Sequence, residues 1–257
     1  MIERIKANVG VPWQEQTVDT FKAGDPDTVV TGIATSFTDS FDVLQRAAAS
    51  GKNLIISHEP SFYNHEDKTD WLADDPVFQQ KIAFIRDHHM VVFRFHDHWH
   101  MRRPDGIVVG MVRELGWEKA QDAADPNVFV FPATTLDRLA AQMRDRLHDH
   151  AMRVVGDPNQ KLTKIGFMEG AAGSDRHIKM LERPDIDALV VGEAREWETV
   201  EYVRDAVAEG HRKGLIVLGH LLSEEAGMDE CARWLRTFVS EVPIEFMPAG
   251  EPFHQPK

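Results

Sequence analysis

A chain of 257 residues that is 42% hydrophobic and contains six Trp can bury a sizeable core, either as one large domain or as two smaller lobes. Its formal net charge of −13 opposes binding to nucleic acid or to anionic lipid, because both partners require a basic surface. Cys231 is the only cysteine, so we expect no internal disulfide and no thiolate-rich zinc cluster, and any bound metal must use His and carboxylate ligands.

The first half of the chain alternates strand-like apolar runs with amphipathic segments, the pattern typical of an α/β fold. Residues 1–10 lack an apolar signal core and no long apolar run follows, so we expect a cytoplasmic protein with no membrane partner. The spacing predicts strands at 28–36, 53–57 and 90–100, and helices at 41–51, 77–89 and 106–117. Histidine follows the second of these strands and recurs at the end of the third.

The second half repeats the alternation after a polar connection at 118–129, whose Asp-Pro step favours a boundary. The halves divide near residue 125, which predicts a first lobe at 1–125 and a second at 126–257, with exchange of segments between them left open. The second half is predicted to contain helices at 134–150 (with Thr135 as cap), 198–210 and 223–238, and strands at 152–157, 164–170, 188–193, 215–220 and 243–248.

The motif SHEP at 57–60 leaves the sheet at the end of an apolar run, where Pro60 favours an extended or turned path. His58 and Glu59 are neighbours at this irregular strand end and can point towards two different metal ions. Taken alone, the pair fits equally well a histidine that ends a strand beside a solvated glutamate.

The motif FHDHWH at 95–100 is the strongest indication of a metal site. If the strand continues, its alternation places His96, His98 and His100 on one face of the sheet. Neutral imidazoles grouped in this way are the usual ligands of zinc, iron, nickel or copper, whereas charged imidazoles would repel one another. We assign His100 as a ligand, while His96 and His98 fit either coordination or a supporting role.

The motif GHLLSE at 219–224 spans a predicted junction between a strand and a helix. If the turn is already helical, His220 and Glu224 share a face and can reach one ion without backbone strain. The segment also fits a helix that simply begins with an acidic first turn, which the helix dipole favours.

The predicted ligand set combines three histidines with two carboxylates: His58, His100, His220, Glu59 and Glu224. Two carboxylates offset half the charge of two divalent ions, so hydroxide or substrate anions must supply the rest. Paired ions about 3.5–4 Å apart can share and activate a water molecule. We therefore expect two divalent ions per chain (zinc, iron or manganese) and a hydrolase that acts on a small molecule.

Five segments follow one another along the chain: VTGIATSFTDSFDVLQRAAASGKNLIISHEP, FHDHWH, GFMEGAAGS, VVGEAREWE and GHLLSEEAG. In this order they resemble the Nif-three-like family, named for the NGG-one-interacting factor three and also described as dinuclear-metal or type-two GTP-cyclohydrolase-like proteins. The resemblance implies two similar α/β lobes with mixed sheets flanked by helices, and metals in the cleft between the lobes. It also implies a toroidal hexamer whose sites face an internal chamber.

The family's motifs carry over directly onto His58, His220 and Glu224. Glu59 stands where the family usually has a second His, and His100 stands where it usually has Asp. Because the two exchanges compensate, the inventory of three His and two carboxylates is kept, which suggests a variant site rather than a lost one.

Further residues are candidates for roles around the ligands. His65, His96 and His98 are predicted proton relays in a hydrolase. The GFMEGAAGS loop fits an anion-binding set of backbone amides or a plain turn. Glu193 fits a pocket residue or an acidic residue at the start of a helix.

Two other interpretations compete with the hydrolase, whose family label implies a nucleotide-like or phosphorylated substrate. A non-catalytic protein for metal binding, metal delivery or interaction would hold ions that are fully ligated by protein. A mononuclear amidohydrolase-like enzyme would use the His-x-His strand within a (β/α)₈ barrel, for which the chain is barely long enough.

Overall fold

The computed structural model describes residues 1–254 and 256. Its helices are α1 (Ile2–Asn8), α2 (Phe41–Ala49), α3 (Pro76–Asp87), α4 (Asp97–Met101), α5 (Gly106–Leu115), α6 (Leu136–Leu147), α7 (Ser174–Leu181), α8 (Glu201–Ala208) and α9 (His220–Leu235). Its strands are β1 (Phe21–Ala23), β2 (Ile33–Ser36), β3 (Leu54–Ser57), β4 (Val91–Arg94), β5 (Val128–Thr135), β6 (Arg153–Val155), β7 (Lys161–Met168), β8 (Ala188–Val191), β9 (Gly214–Val217) and β10 (Ile244–Phe246). Two five-stranded sheets with interspersed helices confirm the predicted α/β class.

The first sheet has the strand order β1-β4-β3-β2-β10. β10, β2, β3 and β4 run parallel, and β1 pairs antiparallel with β4 at one edge, so the sheet is mixed as predicted. Every residue of β2, β3 and β4 is buried. This burial explains why the sequences of these strands are short apolar runs with few charged residues. Helix α2 packs Val43, Leu44 and Ala47 into the adjoining core.

The second sheet has the order β5-β7-β8-β9-β6. β7, β8 and β9 run parallel, while β5 and β6 pair antiparallel at the two edges. Leu189, Val191 and Leu215 from the central strands share a core with Leu181 of α7 and Val203 of α8. The second half of the chain therefore also forms a mixed sheet with helices packed on it.

The chain divides into two compact units. The first consists of Met1–Gly110 and Gly227–Ala249, and the second of Met111–Ala226 and Gly250–Lys257. The first sheet belongs to the first unit, and the second sheet belongs to the second. The units alternate along the chain, and a division into folding lobes at residue 125 stays a prediction.

One predicted strand, at 90–100, is wrong beyond Arg94, because β4 ends there and helix α4 follows. The buried carboxylate of Asp19 determines this change. It accepts hydrogen bonds from the backbone N–H groups of three consecutive residues, His96, Asp97 and His98, at 2.7, 2.9 and 2.9 Å. A carboxylate in this position satisfies the first donors of a helix, which otherwise lack partners.

Strand β5 occupies part of the segment predicted as a connection, and α1, β1 and α7 were not predicted either. β5 contains Pro132, which the sheet tolerates because β5 is an edge strand whose register with β7 shifts between Val130 and Thr134.

The described strands belong to two sheets rather than one closed barrel, so the amidohydrolase-like interpretation is wrong. Among the described residues, no helix combines the length and the apolar content that crossing a bilayer requires.

The buried His177 on α7 makes the stability of the second unit depend on pH. Only 1% of the residue is exposed, and its Nδ1 lies 3.1 Å from Thr199 Oγ1. Burial, with a smaller contribution from Arg176, lowers the pKa of His177 to about 4. Between this pKa and the ordinary value of about 6.5, the unfolded chain binds more protons than the folded chain, so folding is weakened as the pH falls.

We therefore expect the contribution of His177 to the free energy of unfolding to be about 2 kcal/mol smaller at pH 5 than at pH 7.5. Urea unfolding of the wild type and of His177→Gln at both pH values measures this difference, and the variant should lose less stability on acidification. His211→Gln, at an exposed position, is the matched control and should follow the wild type. Parallel losses in all three proteins would contradict the assignment to His177.

Candidate metal centre

Parallel pairing of β3 with β4 brings histidines together in the first unit. Ser57 and Arg94 are partners at the ends of these strands, so the following residues leave the sheet side by side. The ring centroids of His58 and His96 lie 4.6 Å apart, and those of His58 and His100 lie 4.9 Å apart. The candidate ligand atoms of the three histidines all lie within 4.8 Å of one another. Three imidazoles therefore form a histidine group at the carboxyl ends of parallel strands, where α/β sheets commonly bind ligands.

Helix α4 determines which histidines of FHDHWH join this group. His96 and His100 are four residues apart and share a helical face, which excludes His98. The ring of His98 accepts the backbone N–H of Gln14 at Nε2, at 2.9 Å, so its Nδ1 carries the proton and donates to Asp19 at 2.7 Å. The predicted common face of three histidines is therefore wrong. Both ring nitrogens of His98 are engaged, which gives its predicted role as a proton relay no support.

An oxygen acceptor lies beside Nδ1 of each histidine in the group. The pairs are His58 with the Phe95 carbonyl at 3.2 Å, His96 with Asp97 Oδ1 at 2.9 Å, and His100 with Asp105 Oδ2 at 3.0 Å. Because a carbonyl oxygen can only accept, His58 carries its proton on Nδ1 and its lone pair on Nε2. The carboxylates favour the same tautomer in the other two rings. Acceptors of this kind orient the imidazoles that bind metals in proteins.

The Asp97 carboxylate is held in its ionised form. The hydrogen bond from His96 keeps the pKa of Asp97 well below its ordinary value, and it outweighs the opposing effect of burial. Thr17 Oγ1 and the Val18 N–H also donate to the same carboxylate, at 2.8 and 3.1 Å. An ionised Asp97 fixes both the orientation and the tautomer of the His96 ring.

Glu59 brings a carboxylate to the histidine group. Its Oε1 lies 3.6 Å from His96 Nε2, and its Oε2 lies 3.6 Å from Arg94 Nη2. Two ligands of one tetrahedral ion, with bonds of about 2.1 Å, are separated by about 3.4 Å. Glu59 and His96 thus have the spacing of ligands that share an ion. His96, which the sequence predicts as a proton relay, is therefore also a candidate ligand.

His65 lies beside the histidine group and is exposed to solvent. Its ring centroid is 6.1 Å from that of His96, with the rings nearly perpendicular. Its backbone carbonyl accepts a hydrogen bond from Arg94. This position is compatible with the predicted role of His65 as a proton relay, which stays a prediction.

In the second unit, β9 ends at Val217 and α9 begins at His220, earlier than the helix predicted from residue 223. The turn is therefore already helical, which is the condition under which His220 and Glu224 share a face. His220 Nε2 lies 3.3 Å from Glu224 Oε2, again close to the spacing of two ligands on one ion. Glu193 Oε1 accepts a hydrogen bond from His220 Nδ1 at 2.9 Å. The sequence allowed two roles for Glu193, a pocket residue or an acidic residue at the start of a helix. In the structure Glu193 orients His220.

The glycine-rich loop after β7 packs closely against this pair. A Cβ on Gly170 would lie 2.1 Å from Glu224 Oε1 and 3.1 Å from His220 Nε2, and the residue has a φ of +60°. The Gly170 N–H donates to Ser223 Oγ at 2.9 Å, and that hydroxyl donates to the His220 carbonyl at 2.7 Å. Glycine is therefore required here for both conformation and space. Of the backbone amides that the sequence offered as an anion-binding set, at least that of Gly170 donates to a side chain of the protein.

Sequence reasoning missed several of the acceptors that orient the histidines. The alternation expected of a strand placed Asp97 on the face opposite the histidines of FHDHWH, and Asp105 belongs to no recognisable motif. Asp19 lies 77 residues before His96, so no local pattern connects them. An acidic residue close to a histidine is too common in sequences to identify such a pair without the fold.

The fold and these side chains define a two-sheet α/β protein that carries histidines and carboxylates arranged as candidate metal ligands. The model of the Duf34/NIF3 (NGG1p interacting factor 3) family matches residues 14–252. The chain belongs to this family, which confirms the resemblance carried by its motifs.

The three proteins compared below are distant from this chain in sequence, and the two with solved structures are similar to it in fold. A Clostridium acetobutylicum protein named GTP cyclohydrolase 1 type 2 homolog is 24% identical over 193 residues, which cover 71% of this chain and 68% of the relative. The structure of a Bacillus cereus protein related to NIF3 aligns with a TM-score of 0.76 and 13% identity, over 98% of this chain and 97% of its own. A Staphylococcus aureus protein aligns with a TM-score of 0.74 and 17% identity, over 98% and 96% of the two chains. At these identities the solved structures establish the fold alone.

Gly170→Ala should destabilise the protein by about 2 kcal/mol or more, because a left-handed conformation is costly for alanine and the new methyl group overlaps Glu224. Gly210→Ala is the matched control: its φ is +88° and a Cβ there has no neighbour within 4 Å, so strain alone should cost about 1 kcal/mol. Urea unfolding of both variants measures the difference. Equal losses would show that the loop has room for a side chain beside Glu224.

Proposed function

We propose that this protein binds two divalent metal ions and uses them to hydrolyse a nucleotide-like or phosphorylated small molecule. The proposed ligands are His58, Glu59, His96 and His100 in the first unit, and His220 and Glu224 in the second. The observation that supports this best is the position of the histidine Nδ1 atoms. Each histidine directs its Nδ1 towards an oxygen acceptor, which makes Nε2 the nitrogen that can bind an ion.

The donor set suits divalent transition ions. Neutral imidazole combined with carboxylate is a ligand set that zinc, iron and manganese all accept. The separation of 3.6 Å between His96 Nε2 and Glu59 Oε1 supports coordination of one ion by both side chains. The separation of 3.3 Å between His220 Nε2 and Glu224 Oε2 supports the same in the second unit.

Hydrolysis is the reaction class that these groups favour. A bound divalent ion supplies Lewis acidity, which activates water and polarises a phosphoryl or carbonyl oxygen. Asp97 and Asp105 keep the ligand rings oriented, and His65 is exposed beside the histidine group, where it can exchange protons with solvent. The name of the Clostridium relative contains GTP cyclohydrolase, which puts guanine nucleotides first in a substrate screen.

Metal content tests the ligand assignment directly. We expect about two ions per chain in untagged protein purified without chelator, and the loss of at least one ion in His58→Ala and in His100→Ala. Elemental mass spectrometry measures both. His88→Ala is the control, because His88 stacks on Phe84 at the end of α3 and should not affect metal content. Full metal content in His58→Ala and His100→Ala would defeat the assignment.

Activity and assembly are measured on the same samples. Metal-loaded and chelator-treated protein should differ in the hydrolysis of GTP, other nucleotides or phosphate esters. Protein that binds metal but hydrolyses none of them would favour a role in metal binding or delivery. Protein that binds no zinc, iron or manganese after reconstitution would favour an interaction protein. The hexamer implied by the family resemblance stays a prediction, which light scattering tests.

The variant Asp105→Asn tests whether the orientation of His100, and not only its presence, affects metal binding. Asp105 accepts from His100 through Oδ2, while its Oδ1 accepts the Ile107 N–H at 2.8 Å at the start of α5. Asparagine also caps helices well, so the fold should be kept while the charged partner of His100 is lost. We expect metal affinity to fall about tenfold or more, measured by competition with a chromogenic chelator. Unchanged affinity at unchanged stability would show that Asp105 serves only as a cap.

A further inference from the structure

Arg94 is a fully buried arginine at the end of β4, with 0% of its side chain exposed. A buried guanidinium is costly unless charges and hydrogen-bond acceptors surround it. On one side, its Nε donates to the His58 carbonyl at 3.1 Å, and its Nη2 lies 3.6 Å from Glu59 Oε2. This side of the guanidinium thus contacts two successive residues of the SHEP motif.

The other side of the guanidinium holds the segment that carries His65. Nη1 donates to the His65 carbonyl and lies 3.6 Å from Asp67 Oδ2. Asp67 also pairs with Lys22 at 3.2 Å, and both of these side chains are almost completely buried. Arg94 is therefore the member of this buried charge network that reaches both Glu59 and the His65 segment.

The segment itself has an unusual backbone. Tyr63 and Asp67 have positive φ values of 63° and 55°, although neither is glycine. The Asp67 side chain accepts the Phe62 N–H at 2.9 Å, which closes the segment on itself. Non-glycine residues persist in such conformations only where the surroundings enforce them, and they concentrate at functional sites.

We propose that Arg94 is a positioning residue of the metal site, which holds the Glu59 carboxylate towards His96 and fixes the segment that carries His65. The inference rests on the proposed function, because it treats Glu59 as a ligand. One carboxylate oxygen of Glu59 lies near His96 Nε2 and the other near Arg94, so the guanidinium determines which oxygen can reach an ion. Ligating carboxylates generally depend on such outer partners for their orientation.

The planar fork of arginine is essential to this role. It offers several donors in fixed directions and so contacts the Glu59 side and the His65 side at once, whereas a lysine ammonium is a single point charge. Arg94→Lys should therefore preserve the charge and most of the volume but lose the contacts on one of the two sides. Arg94→Met should lose the contacts on both sides.

Binding of Co²⁺ tests the proposal, with affinity measured by competition with a chromogenic chelator and coordination followed by visible absorption. Arg94→Lys and Arg94→Met should weaken Co²⁺ binding about 10-fold to 100-fold and change the cobalt spectrum in the same direction as Glu59→Gln does. If Arg94 acts through Glu59, adding Arg94→Met to Glu59→Gln should cause no further loss.

Lys22→Met is the matched control, because it removes a buried charge from the same network without touching Glu59. It should lower the free energy of unfolding but leave the Co²⁺ affinity within about twofold of the wild type. If Arg94→Met does not fold, Arg94→Lys decides the test.

Two results would overturn the inference while leaving the proposed function intact. One is a wild-type affinity and cobalt spectrum in the folded Arg94 variants. The other is an equal loss from Arg94→Met with and without Glu59→Gln, which would mean that Arg94 acts through the general stability of the fold. Failure of the wild type to bind Co²⁺ would overturn the proposed function and the inference together.

Discussion

The parallel register between β3 and β4 is the constraint on which the histidine group of the first unit depends. It sets Ser57 beside Arg94, so that His58 and the chain leading into α4 leave the sheet at adjacent points. Both strands are buried along their whole length, and a slip of one residue would turn every side chain to the opposite face. The contact between His58 and the Phe95 carbonyl follows from this register. An antiparallel pairing would have placed the two chain exits at opposite ends of the sheet.

Local patterns in the sequence were sufficient for elements that carry a local signal, such as an apolar run or a helix cap. Buried strands such as β3 and β9, and α6 with its Thr135 cap, were predicted close to their observed positions. The contact between His220 and Glu224 was one of two interpretations that the sequence left open. Helix α4 was missed because a helix of 5 residues shows too little periodicity to compete with the alternation of FHDHWH. The contact that decides its conformation comes from Asp19, in a remote part of the chain. Remote capping and the choice of imidazole acceptors both require the tertiary fold.

The acceptors of the histidines also serve the elements around them. Asp105 caps the start of α5 as well as accepting a hydrogen bond from His100, and Phe95 is the residue that follows β4. In the second unit, Glu193 follows β8 and faces the first residue of α9, His220. The orientation of each imidazole is therefore tied to the end of a strand or helix rather than to a mobile loop. Sites held in this way keep their geometry without a ligand, since the packing of the elements supports it.

The two departures from the family's usual motif each come with a partner of their own. Glu59 adds a negative charge where the family usually has a histidine, and Arg94 lies 3.6 Å from its carboxylate. His100 removes a negative charge where the family usually has Asp, and Asp105 accepts from its Nδ1 at 3.0 Å. Either exchange alone would change the charge around the histidine group by one unit. In this chain Arg94 lies beside the Glu59 carboxylate, and Asp105 places a carboxylate behind the His100 imidazole. The exchange of ligand types that we propose is thus compatible with a divalent ion, since these partners would contribute to the charge around the ion together with the ligating atoms.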